Sequence, residues 1–383
     1  KAPTWKDIAQ EITKGKLTFA MTNPSGSNTG FVTLVGLASS FSGKSDALNV
    51  QDIPADKLKA FFSGVTLTSG SSGDLATKFQ ANPGIADAII NYESVIKNLG
   101  PGYVVIKPQD GVVTADYPFM LIKSSNKKEA YDKILAFLRS EQTQKGVVLQ
   151  TGRNPLNGSD DSSVVNELPF PSSLAVVDAI LSGYLNEYSK PSVNYFVLDT
   201  SGSMRGDRIA SLKEAVIGLA SSDGTVGGRF STFRDRETVK LLQFTDVLQP
   251  VQTFKLTTDQ EKNKEVLAAI RSTVNQYQAD GGTAIYSALA SIYREAQAIA
   301  REGKSRVTIE LLTDGQNADG MSLNEFANFV QNAGSPKIPI YGILYGEANA
   351  NDMQTIAQLT EGQFFDARKT PLKKVFKQIR AYQ

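Results

Sequence analysis

Asp199, Thr200, Ser201, Gly202 and Ser203 are the residues of this 383-residue chain whose types and spacing point most directly to chemistry. A carboxylate and two hydroxyls at alternate positions offer hard oxygen donors. With no imidazole or thiolate beside them, such donors suit Mg²⁺ foremost, and also Mn²⁺ or Ca²⁺. A third hydroxyl, Thr283, stands in Gly281-Gly282-Thr283-Ala284-Ile285, and a second carboxylate, Asp314, stands in Thr313-Asp314-Gly315. Taken alone, Asp-x-Ser-x-Ser is equally a helix N-cap, because Asp and Ser both favour that position. Thr283 and Asp314, each at an expected strand end or helix start, favour metal ligation.

The flanking sequence says what must position these residues. Tyr195, Phe196, Val197 and Leu198 read as a buried parallel strand leading into Asp199. The pattern over 208–216 is that of an amphipathic helix. The carboxylate and hydroxyls therefore sit on the turn at the carboxyl end of a strand, where open α/β sheets place ligands. Gly281 opens a long helix, and the apolar strand from Val307 ends at Thr313 and Asp314. The second half alternates: strand 193–199, helix 208–222, a polar insert over 223–237, a hairpin over 238–245 and 247–256, and helices 259–280 and 284–303. Then come strand 306–312, helix 323–333, strand 339–345, helix 352–359, strand 363–366 and a helix from Pro371. This predicts a doubly wound, mostly parallel sheet covered on both faces.

The first half predicts a second α/β domain. Helix 5–14 leads to strand 17–22, then to a Ser-, Gly- and Asn-rich turn over 23–30 and a helix. Ser25, Ser27, Asn28 and Thr29 at that helix start offer N–H groups and hydroxyls to an anion, or simply cap the helix. A strand running into a helix carries Tyr92 and Glu93. Strands are expected over 103–107 and 112–122, and a helix over 126–149. Pro-punctuated residues 166–191, with a helical pattern over 174–188, separate the halves. The expected domains are 1–165, a linker with helix over 166–191, and 192–383.

Composition narrows the chemistry. There are 0 cysteines and 0 histidines, which excludes a Cys nucleophile, a His base, thiolate zinc and a Ser-His-Asp triad. A net charge of +1 gives no general pull toward nucleic acid or anionic membrane. No apolar run is long enough to cross a bilayer and no signal peptide is visible. The chain opens on Lys1 rather than Met, as expected of a processed or trimmed protein.

The set Asp199, Ser201, Ser203, Thr283 and Asp314 resembles the metal-ion-dependent adhesion site of von Willebrand factor type A domains, over about residues 190–383. The resemblance implies a non-enzymatic binding module. In it the serines and threonine ligate a divalent cation, the aspartates bind it directly or through water, and a carboxylate from a partner protein completes the shell. The first half, through residues 20–30, Tyr92-Glu93-Ser94, Lys128-Glu129-Ala130 and Gly152-Arg153, resembles bacterial extracellular solute-binding proteins of ABC transporters. That implies an oxyanion ligand near Ser25, Ser27, Asn28, Thr29, Tyr92 and Glu93. Such proteins have two lobes, and most of the first is expected to precede residue 1 or to have been lost. The joined resemblances imply a bacterial protein at the cell surface or in the periplasm. The alternatives are an ABC-transporter-linked oxyanion receptor and a regulatory subunit of a metal-inserting ATPase machine.

Four further features carry the plainer reading. Residues 38–45 match a permissive P-loop but lack a preceding strand. Asp207, in Arg205-Gly206-Asp207, is expected to be a helix N-cap. Asn157-Gly158-Ser159 is a glycosylation sequon only in a eukaryotic secretory setting. Tyr277, Tyr286 and Tyr293 are expected in a core or an interface rather than in catalysis, and Arg229, Arg234 and Arg236 in a solvated loop.

Overall fold

The structure is a computed structural model and describes residues 2–44, 46–115, 117–156, 166–221, 231–346 and 349–382. Ser45 of the P-loop-like run, Asn157, Gly158, Ser159 and Arg229 lie outside the described residues. The chain divides into two compact units, Lys1–Leu181 and Ser182–Gln383.

The first unit runs α1 (Trp5–Thr13), β1 (Phe19–Thr22), α2 (Asn28–Ser42), α3 (Ala55–Phe62), β2 (Val65–Ser69), α4 (Ser72–Ala81), β3 (Ala88–Ile89), α5 (Glu93–Lys97) and α6 (Lys128–Arg139). Thr4 starts α1 through a capping box: its hydroxyl accepts from the Asp7 N–H at 3.1 Å, and the Asp7 carboxylate accepts from the Thr4 N–H at 2.9 Å. The three strands form a parallel sheet in the order β2-β1-β3. The central strand β1 is buried along its whole length, as a parallel strand between layers must be. Phe61 ties the layers together, with its ring against Trp5, Phe19, Phe41 and Phe62.

Two expectations fail in this unit. Among the described residues of 103–107 and 112–122 no strand forms, and the pairing there is a single bridge from Val112 to Glu167. Val104, Tyr117, Met120 and Ile122 are exposed there. Strand-forming residue types make a strand only where a neighbouring strand and a packing face await them. The expected helix 126–149 is broken at Ser140, whose backbone is extended, and resumes as a wider turn over Thr143–Val148. No residue of α6 is buried.

The division between units falls within α7 (Leu174–Gly183). The second unit then runs β4 (Ser192–Asp199), α8 (Asp207–Leu219), β5 (Glu237–Phe244), β6 (Gln252–Lys255), α9 (Gln260–Asn275), α10 (Ile285–Arg301), β7 (Arg306–Thr313), α11 (Leu323–Ala333), β8 (Ile340–Leu344), α12 (Ala350–Leu359), β9 (Gln363–Asp366) and α13 (Leu372–Arg380). Its sheet order is β6-β5-β4-β7-β8-β9, parallel except for the edge strand β6. Alternation along β4 separates two cores. Phe196 and Leu198 pack with Leu212, Val216, Ile270 and Phe376, while Val193, Tyr195 and Val197 pack with Leu289, Ile292, Phe326 and Met353. Each large apolar side chain so buried contributes about 1.5–3 kcal/mol. The chain winds out from β4 to β5 and β6, then returns to β7 on the other side of β4. The carboxyl ends of β4 and β7 therefore flank the point where the winding direction reverses.

The arginines of the insert correct the expectation of a solvated loop. Arg234 is buried, and its Nη2 donates to the Arg380 carbonyl at 2.8 Å. Arg236 donates to the Asn186 and Ser189 carbonyls at 2.6 and 2.9 Å. Tyr277, Tyr286 and Tyr293 are buried.

Candidate metal centre

Asp199 is the last residue of β4, and Thr313 is the last of β7. Because Leu198 is paired with Leu312 across the ladder, the two chains leave the sheet together. The Thr313 hydroxyl donates to Asp199 Oδ2 at 2.6 Å, and the Ser201 N–H donates to Asp199 Oδ1 at 2.8 Å. Both carboxylate oxygens are thus engaged at the floor of the site, where Asp199 is 0% exposed. Above it Ser201 Oγ and Ser203 Oγ stand 3.0 Å apart, and the Ser203 hydroxyl donates to Asp314 Oδ1 at 2.8 Å. Ser201 and Asp314 are buried, whereas Ser203 faces solvent. The donors therefore line a well with one open side.

Thr283 arrives by a separate route. The expected helix 259–280 ends at Asn275, and the freed chain crosses back to the β4 loop. There the Asp280 N–H donates to the Thr200 carbonyl and the Gly202 N–H to the Gly281 carbonyl, both at 2.9 Å. Gly281 sits at φ +77°, and a side chain there would collide with Asp246 at 2.5 Å. Helix α10 begins at Ile285, so Thr283 lies on the approach to the helix rather than within it. Its N–H is held by Asp319 Oδ2 at 2.9 Å, and the Gly282 N–H by Asp246 Oδ1 at 3.1 Å. A Cβ on Gly315 would stand 3.5 Å from Ser203 Oγ and 3.8 Å from Thr283 Oγ1, so both hydroxyls border one point.

Charge at this site is incompletely balanced. Burial pushes the Asp199 carboxyl above its ordinary pKa, and the neighbouring Asp314 adds to that push. Hydrogen bonds from Ser201 and Thr313 pull the other way without cancelling it. Asp314 Oδ2 accepts from Arg208 Nη1 at 2.5 Å. Asp207 is the first residue of α8 rather than its cap, which is Gly206. Among the described residues no group of three or more His, Cys, Asp or Glu could hold a metal ion. Any cation here depends on hydroxyl donors as much as on carboxylates. That all-oxygen set, buried on one side and open on the other, fits a hard divalent ion.

Sequence reasoning missed Thr313, Asp246, Asp319 and Arg208. Thr313 lay within a quoted motif, where its β-branched side chain read only as strand. Asp246 and Asp319 lie in loops with no periodicity to mark them.

In the first unit the expected anion residues are only partly assembled. Asn28 Nδ2 donates to the Tyr92 hydroxyl at 3.0 Å. The Ser25 N–H and hydroxyl both turn back to Asn23 Oδ1, at 3.0 and 2.9 Å. Ser27 caps α2 by position, with no side-chain capping bond. Thr29 Oγ1, together with Thr22 Oγ1 and Asn23 Nδ2, is buried without a hydrogen-bond partner. Glu93 is paired with Lys97 at 2.8 Å and Lys107 at 3.1 Å.

Comparison with known proteins locates both halves. Residues 195–378 match the von Willebrand factor type A domain model, and residues 1–148 match that of bacterial extracellular solute-binding proteins. A comparison with curated proteins found no match. Similar solved structures include a von Willebrand factor type A protein from Catenulispora acidiphila, at 20% identity and TM-score 0.39, covering 50% of this chain and 42% of that one. Proximal thread matrix protein 1 from the mussel byssus, solved with a zinc-occupied metal-ion-dependent adhesion motif, is 19% identical at TM-score 0.35, covering 50% and 47%. A pilus adhesin from Lactobacillus rhamnosus GG is 14% identical at TM-score 0.37, covering 51% and 31%. The chain spans less than half the length of each of these structures. From the two family matches, the chain carries a bacterial extracellular solute-binding protein domain over residues 1–148, followed by a von Willebrand factor type A domain over residues 195–378.

Proposed function

We propose that the second unit is a non-enzymatic, metal-dependent binding module whose site consists of Asp199, Ser201, Ser203, Thr283 and Asp314. The observation that carries this reading is the Ser203 hydroxyl, which joins Ser201 of the β4 loop to Asp314 of the β7 loop at 3.0 and 2.8 Å. The all-oxygen donor set would suit a hard divalent cation, Mg²⁺ foremost. Ser201, Ser203 and Thr283 would supply hydroxyl oxygens and Asp314 a carboxylate oxygen. Asp199, with both oxygens already accepting hydrogen bonds, orients Ser201 and Thr313 and supplies negative charge from beneath. A divalent cation there would present an open position to a carboxylate of a protein partner. The open side at Ser203 is where that partner would enter. The match of the first half to extracellular solute-binding proteins supports a location at the bacterial cell surface or in the periplasm. No helix among the described residues is long and apolar enough to cross a membrane.

Calorimetric titration of Asp199→Ala with Mn²⁺ tests the site. Loss of binding relative to the natural protein is expected, and unchanged binding would refute the assignment.

A second reading has its own observation. The orphaned Asn23 Nδ2 and Thr29 Oγ1 at the start of α2 suit an oxyanion receptor of the kind linked to ABC transporters. A thermal-shift series with phosphate, sulfate and molybdate separates the two, since a bound ligand raises stability by mass action, increasingly with its concentration. Stabilisation by an oxyanion without any response to Mn²⁺ would favour the receptor.

A further inference from the structure

Arg208, in the first turn of α8, is built into the proposed metal site. Its Nη1 donates to Asp314 Oδ2 at 2.5 Å and to the Ser203 carbonyl at 3.4 Å. Asp314 thus divides its oxygens, Oδ1 facing the Ser203 hydroxyl and Oδ2 facing the guanidinium. The Asp314 side chain is fully buried and that of Arg208 is 35% exposed, so solvent reaches the pair from one side. The loop after β8 closes it from another. A Cβ on Gly346 would stand 2.9 Å from Asp314 Cβ and 3.2 Å from Arg208 Cζ, and Gly346 is held at φ +69°.

We propose that Arg208 is a resident monocation that opposes the divalent ion and sets the net charge of the loaded site; this rests on the metal reading above. The charges make the argument. Asp199 and Asp314 carry two negative charges, which a divalent cation alone would neutralise. Arg208 adds one positive charge, so the ion, its two carboxylates and Arg208 together carry a surplus positive charge, with the Asp246 and Asp319 carboxylates outside that set on the Gly282 and Thr283 N–H groups. Like charges a few ångströms apart in a partly buried setting repel appreciably, so Arg208 weakens metal binding. The same surplus positive charge strengthens the hold on an incoming carboxylate. In the metal-free protein Arg208 does the opposite service, because it compensates two buried carboxylates. Arg208 therefore trades metal affinity for anion affinity, and acts through Asp314 as a positioning and charge-setting residue.

The test is Mn²⁺ calorimetry, with thermal melts in the presence and absence of Mn²⁺, on the natural protein, Arg208→Gln and Arg208→Lys. Arg208→Gln is expected to bind Mn²⁺ about tenfold more tightly. It should melt at a lower temperature without metal and gain more on adding it. Arg208→Lys keeps the charge and should restore the natural Mn²⁺ affinity, which a purely structural role for the guanidinium fork would not do. Equal or weaker Mn²⁺ binding by Arg208→Gln, with the natural protein binding normally, overturns the inference and leaves the metal site standing. Failure of all three proteins to bind Mn²⁺ overturns the metal site and this inference with it. With a third of its side chain in solvent, residue 208 is a mild place to substitute, and Arg208→Lys provides the folded control.

Discussion

The two ends of the six-stranded sheet both bury charge, and they treat it in opposite ways. At the amino end, Glu237 and Arg380 form a bidentate pair at 2.7 and 2.8 Å, with Glu237 0% and Arg380 2% exposed. The Arg234 N–H and the Asn194 amide also donate to Glu237, at 2.8 and 2.5 Å. Burial pushes the Glu237 carboxyl up, but Arg380, the Arg234 N–H and the Arg234 charge more than reverse it, and its pKa is held below the ordinary value. At the carboxyl end, Asp199 is pushed above its ordinary value because hydroxyls and one N–H are weak compensation for lost water. At the amino end the Glu237 carboxylate is matched by donors on both oxygens, while at the carboxyl end Asp199 retains poorly compensated negative charge beside an opening. A buried charge satisfied from every side reads as architecture. A buried charge left in need of a cation, next to solvent, reads as a site.

The largest effect is expected at the amino end. Glu237→Ala leaves Arg380 buried without its carboxylate, and stability should fall by about 3–5 kcal/mol, measured by denaturant unfolding. Mn²⁺ affinity of the folded fraction should be unaffected. The double change Glu237→Leu with Arg380→Met should recover only part of the loss, because it removes the ion pair but leaves Arg234 buried without a carboxylate. If Glu237→Ala proved neutral, the amino end would not depend on a matched buried charge.

Next in size is the open end. Asp314→Ala removes a ligand and Arg208's partner together, and Mn²⁺ affinity should fall about a hundredfold or more by calorimetry. Ser203→Ala removes one hydroxyl and should cost about tenfold in the same titration. Its effect on stability should stay within about 1–2 kcal/mol, because Ser203 itself is exposed although its acceptor Asp314 is buried. A large stability loss from Ser203→Ala would make the hydroxyl chain a structural brace.

The smallest expected effect is on pH dependence. A carboxyl whose folded pKa lies above its unfolded value contributes stability that is complete below the unfolded pKa and is lost as pH rises through the folded one. Without metal, the protein should therefore lose stability as pH rises through the raised value of Asp199. Asp199→Asn should flatten that slope, as melts across a pH series would reveal. Saturating Mn²⁺ should reverse it, since deprotonated Asp199 then faces a cation. No such slope in the metal-free protein would mean that Asp199 is as well compensated as Glu237.

Much of the second unit was legible because its signals are local. Continuous apolar runs marked β4 and β7, and helix 323–333 and strand 363–366 could be read residue for residue from periodicity and capping. Asp199, Ser201, Ser203 and Asp314 were visible because a strand end followed by polar, turn-forming residues is a one-dimensional pattern. The first unit was less legible. Residues 103–107 and 112–122 have the composition of strands, but a strand is a pairing between segments and composition does not say whether a partner exists. Arg234 read as loop because its burial depends on Glu237, beside it in sequence, and on Arg380, far from it.

The sequence by itself determined the alternation of strands and helices in the second unit and the absence of imidazole and thiol chemistry, and it supplied the proposed oxygen donors. All of these follow from residue type and from spacing over a few turns of chain. Tertiary structure alone decided that Asp199 would be buried with both oxygens engaged, that Thr283 would be carried to Gly315 and Ser203, and that Arg208 would lie on Asp314. The physical reason is that charge balance belongs to a volume. Dielectric surroundings and neighbouring ions are set by segments a hundred residues apart, and only the winding of the sheet brings them within a few ångströms.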